Sequence, residues 1–169
     1  MASFDQYVDV ATGREISAVY LQSRRYWIAD GQSVHVIQTA GWCDDCENVV
    51  AVEHLPSESE IDYETRQLTA IIEGRSSDYS LFFDSPDGAS ARLAERKRLW
   101  TAFESRKSPA RCLACYGTHI QLLPSKVGDC ISLPNGLSLR YVAHGFADIG
   151  PEPEVWITID GTPVGHQKR

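Results

Sequence analysis

The chain has 169 residues, 43% of them hydrophobic and 23% charged, with 16 Lys and Arg against 23 Asp and Glu and a formal net charge of −7. That length can bury a core without disulfides, and the composition excludes wholesale disorder. The negative balance argues against nonspecific phosphate binding as the main task. No stretch has the form of a secretory signal or the apolar length of a membrane span, so the expectation is a cytoplasmic protein with reduced cysteines and no membrane partner.

The first forty residues read as strands: Tyr7 to Val10 and Ile16 to Leu21 flank a Thr12-Gly13 turn, and Val34 to Ile37 follows Asp30-Gly31. Gly41-Trp42 leads into a Cys-x-x-Cys pair, Cys43 and Cys46, and the β-branched run Val49 to Val52 follows, so this pair is predicted at the tip of a strand–knuckle–strand unit. Leu55-Pro56 ends that unit. Ser57 with Glu60 has the form of a capping box, opening a helix whose Ile61, Leu68, Ile71 and Ile72 share a face and which Gly74 stops. A Ser- and Asp-rich loop containing Leu81-Phe82-Phe83 precedes a second helix, Ala89 to Arg106, with Leu93, Trp100 and Phe103 on one side and Ser108-Pro109 closing it.

The second Cys-x-x-Cys pair, Cys112 and Cys115, comes next, and His119 to Leu123 reads as a strand. Ile131 to Leu133 and Leu137 to Val142 are joined by Pro134-Asn135-Gly136, a hairpin signal. Pro151-Glu152-Pro153 is a stiff spacer, Val155 to Ile159 alternates as a strand does, and Asp160-Gly161 marks a turn. The expected fold class is α+β: a sheet-rich body with a four-cysteine site, two inserted helices and a β-hairpin-rich C-terminal part. It is read as a single domain over 1–169, with a metal-binding unit at 41–123, a helical insertion at about 57–107 and a β-rich tail at 124–169.

Each Cys-x-x-Cys turn supplies half of a tetrahedral metal shell, and two of them brought together close it. Both pairs resemble zinc-ribbon knuckles. In the second, Cys112-Leu113-Ala114-Cys115-Tyr116-Gly117 has a small residue just behind the turn and a strand after it; the first departs from that pattern, with Glu47 and Asn48 behind Cys46. The resemblance covers the knuckles and their flanking strands. It implies one structural Zn2+ held by Cys43, Cys46, Cys112 and Cys115. Iron in a rubredoxin-like site suits the same four thiolates; zinc is preferred because no other redox feature is present.

A closed shell of four cysteines leaves no open position for a substrate or water. The deaminase arrangement is excluded, because Arg111 stands where proline precedes the cysteine pair and no histidine has glutamate two residues on. No phosphate loop, nucleophile elbow or Ser-His-Asp arrangement is recognisable, so no enzyme is predicted. Cys130 is expected to be a small buried hydrophobe, with a spare or replacement ligand as the alternative, and His35 and His119 packed or surface histidines.

Charge is unevenly spread. From Asp44, inside the first pair, to Glu64 stand Asp44, Asp45, Glu47, Glu53, Glu58, Glu60, Asp62 and Glu64 with no Lys or Arg, while from Ala91 to Arg111 stand Arg92, Arg96, Lys97, Arg98, Arg106, Lys107 and Arg111 against Glu95 and Glu104. The two runs either neutralise each other or form a bipolar surface. The functional expectation is a zinc-stabilised protein–protein interaction module, an acidic inhibitor, immunity protein or adaptor with a basic protein partner. Asp44, Asp45 and Glu47 are its candidate contacts, with Trp42 as an exposed anchor or, equally, a core tryptophan under the knuckle. The alternative is a nucleic-acid-binding zinc ribbon using Arg92, Arg96, Lys97, Arg98 and Arg111.

Overall fold

The computed structural model describes residues 2–21, 23–28, 32–75, 85–147, 150 and 154–164. Asp30-Gly31, Leu81-Phe82-Phe83 and Pro151-Glu152-Pro153 lie outside the described residues.

Strands β1 (Ala2–Asp9) and β2 (Glu15–Tyr20) pair antiparallel through a turn in which Gly13 takes a φ of 72°, a conformation that costs an L side chain energy. Asp9 closes the turn by accepting from the Ala11 amide at 3.1 Å and the Thr12 hydroxyl at 2.5 Å. The long strand β9 (Ser138–Ala147) lies on the other side of β1, and β8 (Cys130–Ser132) pairs with β9 across 133–137, giving the order β2-β1-β9-β8. Strand β9 thereby completes the sheet begun by β1 and β2.

A second sheet has the order β10-β3-β4, from β3 (Arg24–Trp27), β4 (Ser33–His35) and β10 (Val155–Thr158), with β10 parallel to β3. The third, β6-β5-β7, is built from β5 (Gln38–Cys43), β6 (Asn48–Glu53) and β7 (Ile120–Leu122), all antiparallel. One buried cluster takes residues from all three: Tyr7 and Leu139, Tyr26 and Ile157, and Ala40, Trp42 and Val49.

Between β6 and β7 stand α1 (Glu58–Ile72) and α2 (Pro86–Glu104). The capping box forms as its spacing requires: the Ser57 hydroxyl accepts from the Glu60 amide, and the Glu60 carboxylate accepts from the Ser57 amide at 2.8 Å. At the far end Gly74, at φ 68°, lets the Gly74 and Arg75 amides return to the carbonyls of Ile71 and Ala70, a Schellman closure.

Helix α2 differs from expectation at both ends and on its faces. It starts on Pro86 with Ser85 as cap and stops at Glu104, so Arg106 and Ser108-Pro109 lie beyond it. Its first half packs Ala89 and Leu93 against Leu68 and Ile71 of α1, while its second half sends Leu99 and Phe103 into the main core. Leu99 is buried, whereas Trp100 is only partly so. A helix serving two cores on different faces has no single apolar stripe.

Candidate metal centre

The first knuckle is the turn between β5 and β6, where Cys43 is opposite Asn48 and residues 44–47 make the bend. The second sits on the outer side of β6: Cys112 bridges Val52, the Leu113 amide donates to Ala51 O at 3.0 Å and the Glu53 amide to Arg111 O at 2.9 Å. From there β7 returns to pair with β5, placing Ile120 against Cys43, and the Asp44 amide donates to His119 O at 3.0 Å. Each knuckle is thus hydrogen-bonded to the strands of the other.

This arrangement brings Cys43, Cys46, Cys112 and Cys115 together with all four sulfurs within 4.8 Å of one another. Sγ of Cys43 is 3.6 Å from that of Cys115, and Sγ of Cys46 is 3.8 Å from that of Cys112. A tetrahedron of thiolates about 2.3 Å from a central ion has edges of about 3.8 Å. The spacing is too long for a disulfide and fits one ion. The cluster is consistent with a zinc-ribbon-like site, and four thiolates suit zinc or iron alike.

The chemistry of the donors points the same way. Sγ of Cys112 receives the amides of Ala114 at 3.3 Å and Cys115 at 3.5 Å, and Sγ of Cys115 receives the Gly117 amide at 3.4 Å. Such amide donors stabilise thiolate charge. Without a cation the thiols resist ionising together: burial pushes Cys43 up to about 11, with the Cys115 and Cys112 sulfurs adding to the rise against the Cys46 amide. Burial and then the other three sulfurs push Cys46 up as well. At Cys115 burial also acts upward, but the Gly117 amide and the neighbouring thiols outweigh it and the net direction is down. A divalent ion reverses this balance by neutralising the charges that otherwise repel.

The centre is half sunk into the protein. The first cysteine of each pair, Cys43 and Cys112, is fully buried, while Cys46 is half-buried and Cys115 exposed. Leu113, inside the second turn, is 2% exposed and plugs the main core, as Trp42 does beside the first turn. Both knuckles place a residue with a side chain in the left-handed region directly after the second cysteine, Glu47 at φ 50° and Tyr116 at φ 63°. The small residue behind the second turn lies against the first: a Cβ on Gly117 would stand 2.1 Å from Oδ2 of Asp45, the end of an exposed side chain that could turn aside. Asp45 also accepts from Nδ1 of His119 at 3.2 Å, a further tie between the knuckles.

Two expectations are corrected. Trp42 is not an exposed anchor: it is 6% exposed and its indole N–H donates to Asp44 Oδ1 at 2.9 Å, so the core-tryptophan arrangement is the one found. Cys130 is not buried. It is exposed at the start of β8 and is not one of the four clustered cysteines.

Behind the second knuckle lies a polar network that the sequence did not announce. Glu53, fully buried, accepts from Tyr26 Oη at 2.7 Å, from Arg106 Nη1 at 3.1 Å and Nη2 at 2.5 Å, and from the Arg111 amide at 2.9 Å. Arg106 also donates to Ser108 O, Pro109 O and Ile159 O. Its guanidinium is held up by Glu53 against the opposing effect of burial, so it stays charged.

The remaining candidates are spread apart. Asp44, Asp45 and Glu47 are all exposed around the first turn. The basic run is divided: Arg92 and Arg96 direct Nε to Glu64 Oε1 at 3.5 and 3.0 Å, and Arg111 donates to Asp160 O and Tyr116 O. Lys97 and Arg98 are exposed. Compared with known protein families, curated proteins and solved structures, the chain matches none.

Proposed function

We propose that this chain is a non-enzymatic, zinc-stapled protein-interaction module that offers the acidic tip of its first knuckle to a basic protein. The observation that supports it is the closed cage of four sulfurs at tetrahedral spacing. Four thiolates around zinc leave no place for a substrate, so the ion acts by fixing the chain. The whole chain works as one domain of the inhibitor, immunity or adaptor kind, in a reducing cytoplasmic setting that keeps the thiols available to metal.

What the staple fixes is the turn that carries Asp44, Asp45 and Glu47. Asp44 is held by the Trp42 indole and Asp45 by His119, so two of the three carboxylates are oriented before any partner arrives. Preorganised charge speeds encounter and selects a partner of opposite sign. With Trp42 buried, recognition through this tip is polar.

The test is affinity capture from the native source with wild-type chain and with a variant carrying Asp44→Lys, Asp45→Lys and Glu47→Lys. A basic protein retained by the wild type and lost by the variant is the expected result. Equal retention by both, or capture of nucleic acid instead, would overturn the reading.

A further inference from the structure

A second site lies away from the cysteines. The inner face of the β1–β9 pair carries a carboxylate, Asp5, that is 7% exposed and accepts three side-chain donors. These are the hydroxyl of Tyr20, the hydroxyl of Tyr141 at 3.2 Å and Nδ1 of His144 at 2.8 Å. Tyr141 and His144 are three residues apart on one strand and would ordinarily point to opposite faces. They share a face because the register shifts between Gln6 and Tyr7: Asp5 pairs with His144, while Tyr7 pairs with Tyr141, leaving Val142 as the extra residue. Such bulges re-aim side chains at functional sites.

Because a carboxylate only accepts, Nδ1 of His144 donates to Asp5, which leaves Nε2 as the nitrogen available to a ligand. The His144 side chain is 42% exposed and lines a cleft of about 630 Å³ together with Tyr20, Phe146, Arg92 and Arg96. Its ring stacks with Tyr20 at 6.5 Å and meets Phe146 edge-on at 5.2 Å. Burial and then Asp5 hold the Tyr20 hydroxyl protonated well beyond neutral pH, so it remains a donor to the carboxylate.

The opposite wall carries Arg92 and Arg96 together with Glu95. Arg92 and Arg96 both turn to a single oxygen of Glu64, and burial and then the neighbouring Arg96 charge hold Arg92 below its ordinary value. The acid on that wall, Glu95, is engaged by the His35 amide and Nδ1, each at 2.9 Å. With the Glu95 carboxylate turned to His35, an anion in the cleft would meet Arg92 and Arg96 on that wall.

We infer that this cleft binds a small ring-bearing anion: the ring lies against Tyr20, His144 and Phe146, a phosphate or carboxylate group faces Arg92 and Arg96, and a hydroxyl or N–H of the ligand donates to Nε2 of His144. None of the four clustered cysteines lines this cleft. Its volume is of the size usual for small-molecule sites, with a few convergent polar groups on an aromatic wall.

The experiment follows the imidazole signals of His144 in the full metal-loaded chain, assigned by their absence in His144→Gln. The probes are 4-hydroxyphenyl phosphate and 4-hydroxybenzoate, each carrying a ring hydroxyl for Nε2, with phenol as the neutral counterpart. Saturable shifts with one of the two anions, at a Kd of about 1 mM or tighter, are expected, and which anion binds identifies the group. Loss of one charged hydrogen bond in Arg96→Gln should weaken that binding by about tenfold or more. Phe146, 60% exposed, can be removed without opening the core, so Phe146→Ala serves if Arg96→Gln does not fold, and it should also weaken binding. Unmoved His144 signals, equal binding of phenol, or an affinity indifferent to both substitutions would overturn the inference.

Discussion

Single residues set the two knuckle turns, and one of them is in tension with its backbone. Glu47 and Tyr116 occupy the left-handed region at φ 50° and 63°, where a Cβ crowds the carbonyl, at a cost of roughly 1–2 kcal/mol per residue. Glycine enters that region freely but loses more entropy on folding. At Tyr116 the side chain also packs against the core, so strain is offset there. Glu47 is exposed and has no such compensation. Glu47→Gly is therefore expected to stabilise the metal-loaded chain by about 0.5–1 kcal/mol, read as a higher denaturation midpoint at unchanged slope. An unchanged or lower midpoint would show that Glu47 makes a compensating contact.

At the scale of elements, the Glu53–Arg106 pair decides how the helical insertion meets the knuckles. Arg106 follows α2, Glu53 ends β6 beside the second knuckle, and Ile159 O belongs to the turn after β10, so one guanidinium joins three elements. Removing one partner of a buried pair leaves the other charge uncompensated, at a cost of about 3–5 kcal/mol. Arg106→Met and Glu53→Gln should each lower stability by that order in denaturant unfolding, since Glu53→Gln leaves the guanidinium unpaired and turns an N–H2 toward groups that are themselves donors. Sub-kcal/mol effects from both would contradict the role assigned to the pair. This junction also explains a boundary that sequence misplaced. Residues up to Arg106 read as helix because nothing in them breaks the pattern, but Arg106 must leave the helix to reach Glu53. The same non-local logic hid β3, where Arg24-Arg25 masks a strand whose Tyr26 is fully buried and hydrogen-bonded to Glu53, and whose parallel partner is β10 at the other end of the chain. The capping box, the Gly74 stop and the strands beside the cysteines were legible because their causes lie within a few residues.

For the whole molecule, the four cysteines were legible because metal ligation has a local spacing rule, while the Asp5 cleft was not. Its donors Tyr20, Tyr141 and His144 stand 15, 136 and 139 residues from Asp5, and a bulge decides the face on which two of them lie. The cysteine pairs, 66 residues apart between Cys46 and Cys112, enclose a helix pair with its own small core. Closing so long a loop costs little more than closing a short one, since the entropy grows only with the logarithm of length. An ion that closes it therefore tolerates the insertion and ties two sides of the third sheet together. No helix among the described residues is long and apolar enough to cross a membrane.

We propose that a metal held by Cys43, Cys46, Cys112 and Cys115 staples the fold. It is tested most directly by elemental analysis of the purified chain together with thermal unfolding before and after a strong chelator. One zinc per chain is predicted, with a marked fall in Tm on its removal, since structural zinc contributes on the order of 10 kcal/mol in small domains. A chain that carries no metal, or that keeps its Tm when the metal is stripped, would rule out the staple.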